Sequence, residues 1–265
     1  MSLFVHRECG INLHEGKREL IRARLSKRIR SLELSGFGAY YNFLVNDPSG
    51  VERREMLNAI STNLTSFFRE PRHFTFMRDV FFPEFQKRKA RELHIWSSGC
   101  STGEEAYSIA ISCLEFLGDC GQALCHILAT DISTDVLERA GSGVYAETGV
   151  RHIETPIMKK YFKKGINQWA GHVKVKEILR RMVDFDYLNL IDACPFENRF
   201  HIIFCRNVMI YFQKAMQEQL VQNYFRALKE GGYLFIGHSE TLMGKDHSFN
   251  YIMPTIYQKP YNRTD

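Results

Sequence analysis

LHIWSSGCSTGEEAY, residues 93–107, sets the fold class. Leu93 to Ser97 is an apolar run of the length of a buried strand, and residues 97–103 form a turn of small residues. From Glu104 the positions Tyr107, Ile109, Ala110, Ile111 and Leu114 predict a helix. The pattern repeats toward the C-terminus. Residues 126–130 predict a second strand ending at Asp131, with a helix from near Ser133. Residues 201–205 predict a third strand, leading into Arg206-Asn207 and a helix through about 229. Gly231-Gly232 are expected to stop that helix before a strand over 233–236, and residues 249–259, with Pro254 between two apolar runs, predict a terminal hairpin. Strands alternating with helices give an open, mostly parallel α/β sheet, because parallel strands need helical crossovers. Ligands of such sheets sit beyond the carboxyl ends of the strands, so functional residues are expected after positions 97, 130 and 205.

The flanking regions differ. Residues 17–30, KRELIRARLSKRIR, carry seven basic side chains and one acidic, with Leu20, Ile21, Leu25, Ile29 and Leu32 at roughly helical spacing. Such a run is either a solvated outer face or a docking surface for something acidic; its excess of six exceeds the net charge of +5 of the whole chain. Further helical pattern covers about 38–47 and 51–60, so residues 1–80 are expected to form a helical N-terminal domain and 81–265 the sheet domain. Between about 150 and 185 the rhythm breaks. Residues 173–176 alternate like an exposed strand and Gly165 and Gly171 flank a polar loop, which predicts a small inserted β subdomain.

Composition narrows the classes. With 265 residues, 45% apolar and 25% charged, the chain has material for a sizeable core and is neither disordered nor collagen-like. No stretch approaches the ~20 apolar residues of a membrane span, and charge interrupts the N-terminus too soon for a secretory leader. Seven scattered cysteines without a C-x-x-C pair fit reduced thiols in a cytoplasm, and ten histidines without metal-ligand spacing argue against a metal enzyme. The turn holding Gly99 and Gly103 is neither G-x-G-x-x-G nor a P-loop, and Glu104 and Glu105 would repel phosphate there. These glutamates either support the first helical turn or bind a ligand with hydroxyl, amine or cationic groups. Asp131 either caps a helix, a task Ser133 could also fill, or accepts both hydroxyls of a ribose. Together these features suggest a nucleoside cofactor without phosphates, S-adenosylmethionine being the obvious candidate.

Four blocks then carry a resemblance: STNLTSFFRE (61–70), WSSGCSTGEEAY (96–107), FCRNVMIYF (204–212) and GHSE (237–240). In their order and spacing they resemble the CheR family of chemotaxis receptor glutamate methyltransferases, from about residue 5 to the end. One departure is Ala106, where the family usually has proline; alanine propagates a helix well. The resemblance implies a class I S-adenosylmethionine-dependent methyltransferase (Rossmann-like) sheet domain with a small all-α N-terminal domain and a small inserted antiparallel β subdomain. It implies a cofactor site of Asn63, Thr65, Arg69, Gly99, Glu105, Asp131, Asn189, Leu190, Arg206 and Asn207, with S-adenosylhomocysteine as product and no metal. Of these, Asn63, Thr65 and Arg69 reach the methionine end, Glu105 binds the amino acid part, Asp131 the ribose, and Asn189-Leu190 lie beside adenine. Arg69 and Tyr211 are the expected catalytic pair, orienting a substrate carboxylate; Asn207 and Tyr211, spaced i,i+4, would share a helix face.

The implied partner is the acidic, helical cytoplasmic domain of a chemoreceptor, to which Arg18, Arg22, Arg24, Lys27, Arg28 and Arg30 offer a complementary surface. In some relatives the inserted sheet also holds a receptor's C-terminal tail peptide by strand addition. Neither nucleic acid nor direct membrane insertion is expected. A nucleic-acid methyltransferase would carry an N/D-P-P-Y segment where this chain has RNVMIY, and aromatics interleaved with its basic run. A non-catalytic cofactor-binding scaffold would be marked by loss of Arg69, Asp131 or Tyr211, and all three are present. His238 in the GHSE block is better read as a structural loop histidine.

Overall fold

A computed structural model describes residues 1–12, 15–88, 92–118 and 120–261. Four helices open the chain: α1 (Ser2–Cys9), α2 (Glu15–Ser31), α3 (Phe37–Val45) and α4 (Val51–Ile60). On α2 the buried positions are Ile21, Leu25 and Ile29, one per turn, and this stripe packs with Phe4, Tyr40, Leu44 and Met56 into a core separate from that of the sheet. An irregular passage over 61–70 leads out, with Phe68 and Glu70 at positive φ. Helix α5 (Pro71–Phe76) continues through a π-turn (Met77–Phe81) into α6 (Phe82–Lys87).

The remainder alternates β1 (Leu93–Ser98), α7 (Glu104–Leu117), α8 (Cys120–Leu124), β2 (Cys125–Asp131), α9 (Thr134–Ser142), β3 (Val144–Ala146), α10 (Thr155–Tyr161), β4 (Phe162–Lys164), β5 (His172–Val175), α11 (Glu177–Arg180), β6 (Val183–Tyr187), β7 (Phe200–Cys205), α12 (Lys214–Ala227), β8 (Leu228–Ile236), β9 (Asn250–Met253) and β10 (Ile256–Gln258). Seven strands form one sheet in the order β6-β2-β1-β7-β8-β10-β9. β6, β2, β1, β7 and β8 are parallel, and β10 runs antiparallel between β8 and β9. Period-2 alternation divides the core: Ile95, Ile202 and Phe204 face one helical layer, Trp96, Ile203 and Cys205 the other. Strand order reverses at β1, where a crevice opens beyond the strand ends. β3, β5 and β4 make a separate antiparallel sheet. Among the described residues, no helix is long and apolar enough to cross a membrane.

Three local expectations change. The segment after β7 is not yet helix: Asn207 has φ 58°, residues 209–211 form a 3-10 turn, and α12 starts only at Lys214. Asn207 and Tyr211 therefore do not share a helix face. Gly231-Gly232 do not end a helix but lie inside β8, where Gly231 (φ 68°) sits beside the register shift against Phe200. A Cβ there would lie 2.1 Å from the Tyr261 ring. The small sheet takes β3 from before residue 150, and β6, which starts at 183, joins the large sheet. Parity of apolar positions marks a strand but not the sheet it will join.

Candidate functional site

At the crevice, the turn after β1 is tied to the end of β2: the amides of Gly99 and Cys100 both donate to Thr130 O, at 2.8 and 2.9 Å. Gly99 has φ 91°, and a Cβ on it would stand 2.4 Å from Val208 Cγ2, so β1 and the segment after β7 meet closely only because the residue is glycine. Asp131 is buried and fixed from both sides, Oδ2 accepting from Ser101 N (2.8 Å) and Oδ1 from Ser133 N (3.0 Å). Burial raises its pKa, and the two amides oppose that rise by favouring the carboxylate. Ser133 makes no side-chain cap; Asn58 of α4 accepts from Thr134 N at 3.0 Å and so caps α9 from the N-terminal helices.

Glu105, in the first turn of α7, accepts from Ser97 Oγ at 2.6 Å and lies 3.3 Å from Arg206 Nη1. Burial pushes its pKa up, opposed by Arg206 and the Ser97 hydroxyl. Arg206 Nε is 3.2 Å from Glu70 Oε2, and its Nη2 donates to the carbonyl of Arg69. One guanidinium thus stands between two carboxylates, with its own charge almost fully out of water. The 61–70 passage lies across this cluster: Ser101 Oγ donates to Asn63 O, Phe68 N to Ser108 Oγ, and Arg69 Nη1 to Leu64 O. The N-terminal helices close the far side, where Asn189 Nδ2 donates to Glu8 O and Asn12 N to Tyr211 O, both at 2.8 Å.

These contacts enclose one cavity of about 340 Å³, within the range of small-molecule sites. The structure brings every expected cofactor and catalytic residue to its wall: Asn63, Thr65, Arg69, Gly99, Glu105, Asp131, Asn189, Leu190, Arg206, Asn207 and Tyr211. The side chains also fit S-adenosylmethionine in charge. On the wall Glu105 and Asp131 balance Arg69 and Arg206, and Glu70, paired to Arg206 behind the wall, leaves one negative charge for a ligand whose sulfonium, ammonium and carboxylate sum to one positive. No histidine or lysine is among the described lining residues, and burial pushes the thiol of the lining Cys9 up to about 12. The carboxylates of the wall, Glu105 and Asp131, are already engaged, by Ser97 and Arg206 and by the amides of Ser101 and Ser133.

The basic helix divides differently from the expectation. Arg24 donates to the carbonyls of Ile60 and Ser61, both at 2.8 Å, and Arg28 forms a bidentate pair with Glu52 at 2.9 and 2.6 Å. Both are turned onto α4 and its end. Arg22, Lys27 and Arg30 are exposed, while the side chain of Arg18 lies outside the described residues.

Two residues of the site escaped the sequence reading. Glu70 pairs Arg206, and Glu240 accepts the amides of Asn207 (2.9 Å), Val208 (3.0 Å), Ile210 (3.3 Å) and Gly237 (2.6 Å). Those bonds fix the backbone of 207–210 just before Tyr211. Burial raises the pKa of Glu240 despite the four donors. In the GHSE block the structural anchor is thus the glutamate. His238 is exposed and gives only its amide, to Glu70 Oε1 at 3.2 Å. Both glutamates end quoted blocks, which was the available signal.

Comparison with known proteins adds an independent line. Residues 63–257 match the family model described as "CheR methyltransferase, SAM binding domain", and residues 2–61 match "CheR methyltransferase, all-alpha domain". The chain is 42% identical over 263 residues to the chemotaxis protein methyltransferase of Borreliella burgdorferi, covering 96% of this chain and 91% of that protein. It is 38% identical over 257 residues to the probable chemotaxis protein methyltransferase of Rhizobium etli, covering 96% of each. To the chemotaxis protein methyltransferase of Escherichia coli it is 36% identical over 258 residues, covering 97% of this chain and 88% of that protein.

Proposed function

The chain belongs to the CheR methyltransferase family, and on that premise we propose that it methylates glutamate side chains of a chemoreceptor's cytoplasmic helical domain, in the cytoplasm, forming γ-methyl esters. The observation that carries this reading is a charge-matched cavity whose described lining holds no histidine or lysine and whose two carboxylates, Glu105 and Asp131, are already engaged. A glutamate, with an ordinary pKa of ≈ 4.3, arrives already ionised and needs no deprotonation. An amine or hydroxyl acceptor would have to lose a proton to Glu105 or Asp131, at the cost of the bonds those carboxylates already make.

S-adenosylmethionine supplies, when bound, a methyl group already activated by the sulfonium, and leaves as S-adenosylhomocysteine. The protein's task is then positional, and an in-line approach is worth roughly 7–11 kcal/mol of barrier in well-oriented systems. Asp131, fixed by two amides, is placed to accept ribose hydroxyls, and Glu105, braced by Ser97 and Arg206, to accept the ammonium. Asn189 and Leu190 stand at the wall for adenine, with Gly99 giving close backbone approach; Asn63, Thr65, Arg206 and Asn207 complete the methionine end. Arg69 and Tyr211 orient the incoming carboxylate and offset its desolvation. Arg69 is held through Leu64 O, which fixes one nitrogen of its guanidinium and leaves the rest to meet the carboxylate. Arg22, Lys27 and Arg30 steer the acidic receptor toward the cavity, and an edge of the small sheet, β3 or β4, takes the receptor's tail peptide as an added strand.

The test uses labelled-methyl S-adenosylmethionine and a purified chemoreceptor cytoplasmic fragment. Label released as methanol by mild alkali is the expected result; alkali-stable label, or label on RNA alone, would overturn the acceptor. Tyr211→Phe and Arg69→Ala should lower turnover on the order of 10–10²-fold and leave cofactor affinity nearer the parent value. Parent rates in both variants would remove these residues from the catalytic role.

A further inference from the structure

The inserted region is basic. Residues 151–181 hold nine lysines and arginines against Glu154 and Glu177; Lys160 and Lys164 pair with Glu115 and Glu147 outside that stretch, and Arg180 and Arg181 share Glu177. In the antiparallel register Lys163 stands directly opposite Lys174. Like charges at that position weaken a sheet, yet both side chains are exposed and neither forms an ion pair or hydrogen bond among the described residues. His172, two residues before Lys174, shares their face.

The hairpin joining β4 to β5 ends in an apolar tip. Ile166 is 73% exposed and Trp169 54% exposed, and the Trp169 ring meets His172 edge-on at 6.1 Å, so the tip continues the lysine face. The tip is held by its own backbone: Gly165 N donates to His172 O (2.8 Å), Trp169 N to Ile166 O (3.0 Å) and Ala170 N to Asn167 O (3.0 Å). An aliphatic and an indole side chain are therefore presented to solvent together, next to the face that carries Lys163 and Lys174.

We propose that this face and tip adsorb the protein to an anionic lipid surface, with Trp169 and Ile166 at headgroup depth and Lys163 and Lys174 against the lipid charge. Tryptophan favours the membrane–water interface, and lysines near a negative leaflet attract it electrostatically. No spanning segment is needed, and adsorption by a few residues is reversible. A stacking site for single-stranded nucleic acid would use successive aromatics and has no use for an exposed isoleucine. A side-chain pocket for a peptide needs a concave wall, whereas both apolar residues protrude. The proposal does not depend on the reaction catalysed at the cavity.

The chain has two tryptophans, and the other, Trp96, is 1% exposed, so a change in indole emission on adding vesicles reports Trp169. The full chain is titrated at low ionic strength with phosphatidylcholine vesicles, with and without phosphatidylglycerol. A blue shift with the anionic vesicles alone, reversed by salt, is expected. Lys163→Glu and Lys174→Glu should each weaken co-sedimentation with those vesicles about fivefold. Trp169→Ser and Ile166→Ser should weaken it further. Lys174→Glu should melt no lower than the parent, since it turns an opposed like-charge pair into an opposite one. The proposal is overturned by absence of the shift, by equal binding to neutral vesicles, by undiminished sedimentation of both lysine variants, or by a shift with oligonucleotide or polyglutamate but not with vesicles.

Discussion

Two arginines, the half-buried Arg28 and the buried Arg206, meet carboxylates in different ways. Arg28 of α2 is complete within the chain: Glu52 accepts both its Nε and Nη2, Tyr40 Oη donates to the same carboxylate at 2.8 Å, and Glu55 lies 3.2 Å from Nη1. Arg206 has two carboxylates within 3.3 Å, yet its Nε and Nη1, Glu70 Oε2 and the neighbouring His73 Nδ1 are buried without an aligned hydrogen bond. The first arrangement holds helices together. The second is balanced in charge but unfinished in bonding, beside a cavity that receives a cationic ligand. Buried polar groups are normally satisfied, so clustered exceptions mark a place where a ligand or a reaction completes the set.

The largest expected effect tests that contrast directly. Arg206→Ala should reduce S-adenosylhomocysteine affinity and methyl transfer on the order of 10²–10³-fold, because Glu70 and Glu105 are left buried without their cation. Arg28→Ala should instead cost about 3 kcal/mol of stability in chemical denaturation, with cofactor affinity within about twofold of the parent. Calorimetric titration and denaturation of both variants separate the cases. Equal losses of affinity would break the comparison.

Protonation gives the next effect. His73 is fully buried, its Nε2 hydrogen-bonded to Thr255 Oγ1 at 2.8 Å, and its pKa is lowered to about 3 by burial, then by Arg206 and His238. Glu70 Oε2, 3.6 Å from Nδ1, would ordinarily favour imidazolium, but Arg206 already neutralises that oxygen and repels a second cation. The unfolded chain therefore binds a proton near the ordinary pKa of ≈ 6.5 that the folded chain refuses until about pH 3. Stability from this group is present above 6.5 and is lost as pH falls, by about 2–3 kcal/mol at pH 4.5. Denaturation of the parent and of His73→Phe across that window should show the variant with the shallower slope.

The smallest effect concerns the arginines and lysines left outside. Rising ionic strength should slow methylation of a receptor fragment without weakening cofactor binding, and Arg22→Ala, Lys27→Ala and Arg30→Ala should each slow it roughly 1.5–5-fold. Arg24→Ala, by contrast, should lower thermal stability, since it loses its bonds to the end of α4. A salt-independent rate would count against docking through this helix.

Several of these contrasts were open to the sequence and several were not. Gly99, Asp131, Arg206 and Asn207 were legible because each ends an apolar run, and the end of a parallel strand is where such sheets bind ligands. The 3.6-residue period places Arg24 and Arg28 on one side of α2, but it does not say that α4 covers that side. Glu240 was hidden because its four donors are backbone amides, which any sequence supplies. The helix expected straight after Asn207 fails at Asn207 itself, whose φ of 58° lies outside the right-handed helical region.

The sequence by itself determined the α/β architecture, the glycine turn, the acid closing β2 and the kinship with a methyltransferase family. Each is written in local periodicity or in contiguous blocks. Tertiary structure alone decided which carboxylates stand beside Arg206, which basic side chains of α2 remain in water, and that two lysines face each other on the small sheet. Those outcomes depend on contacts between residues distant in the chain. A charge has its energetic meaning only once burial, orientation and partner are fixed.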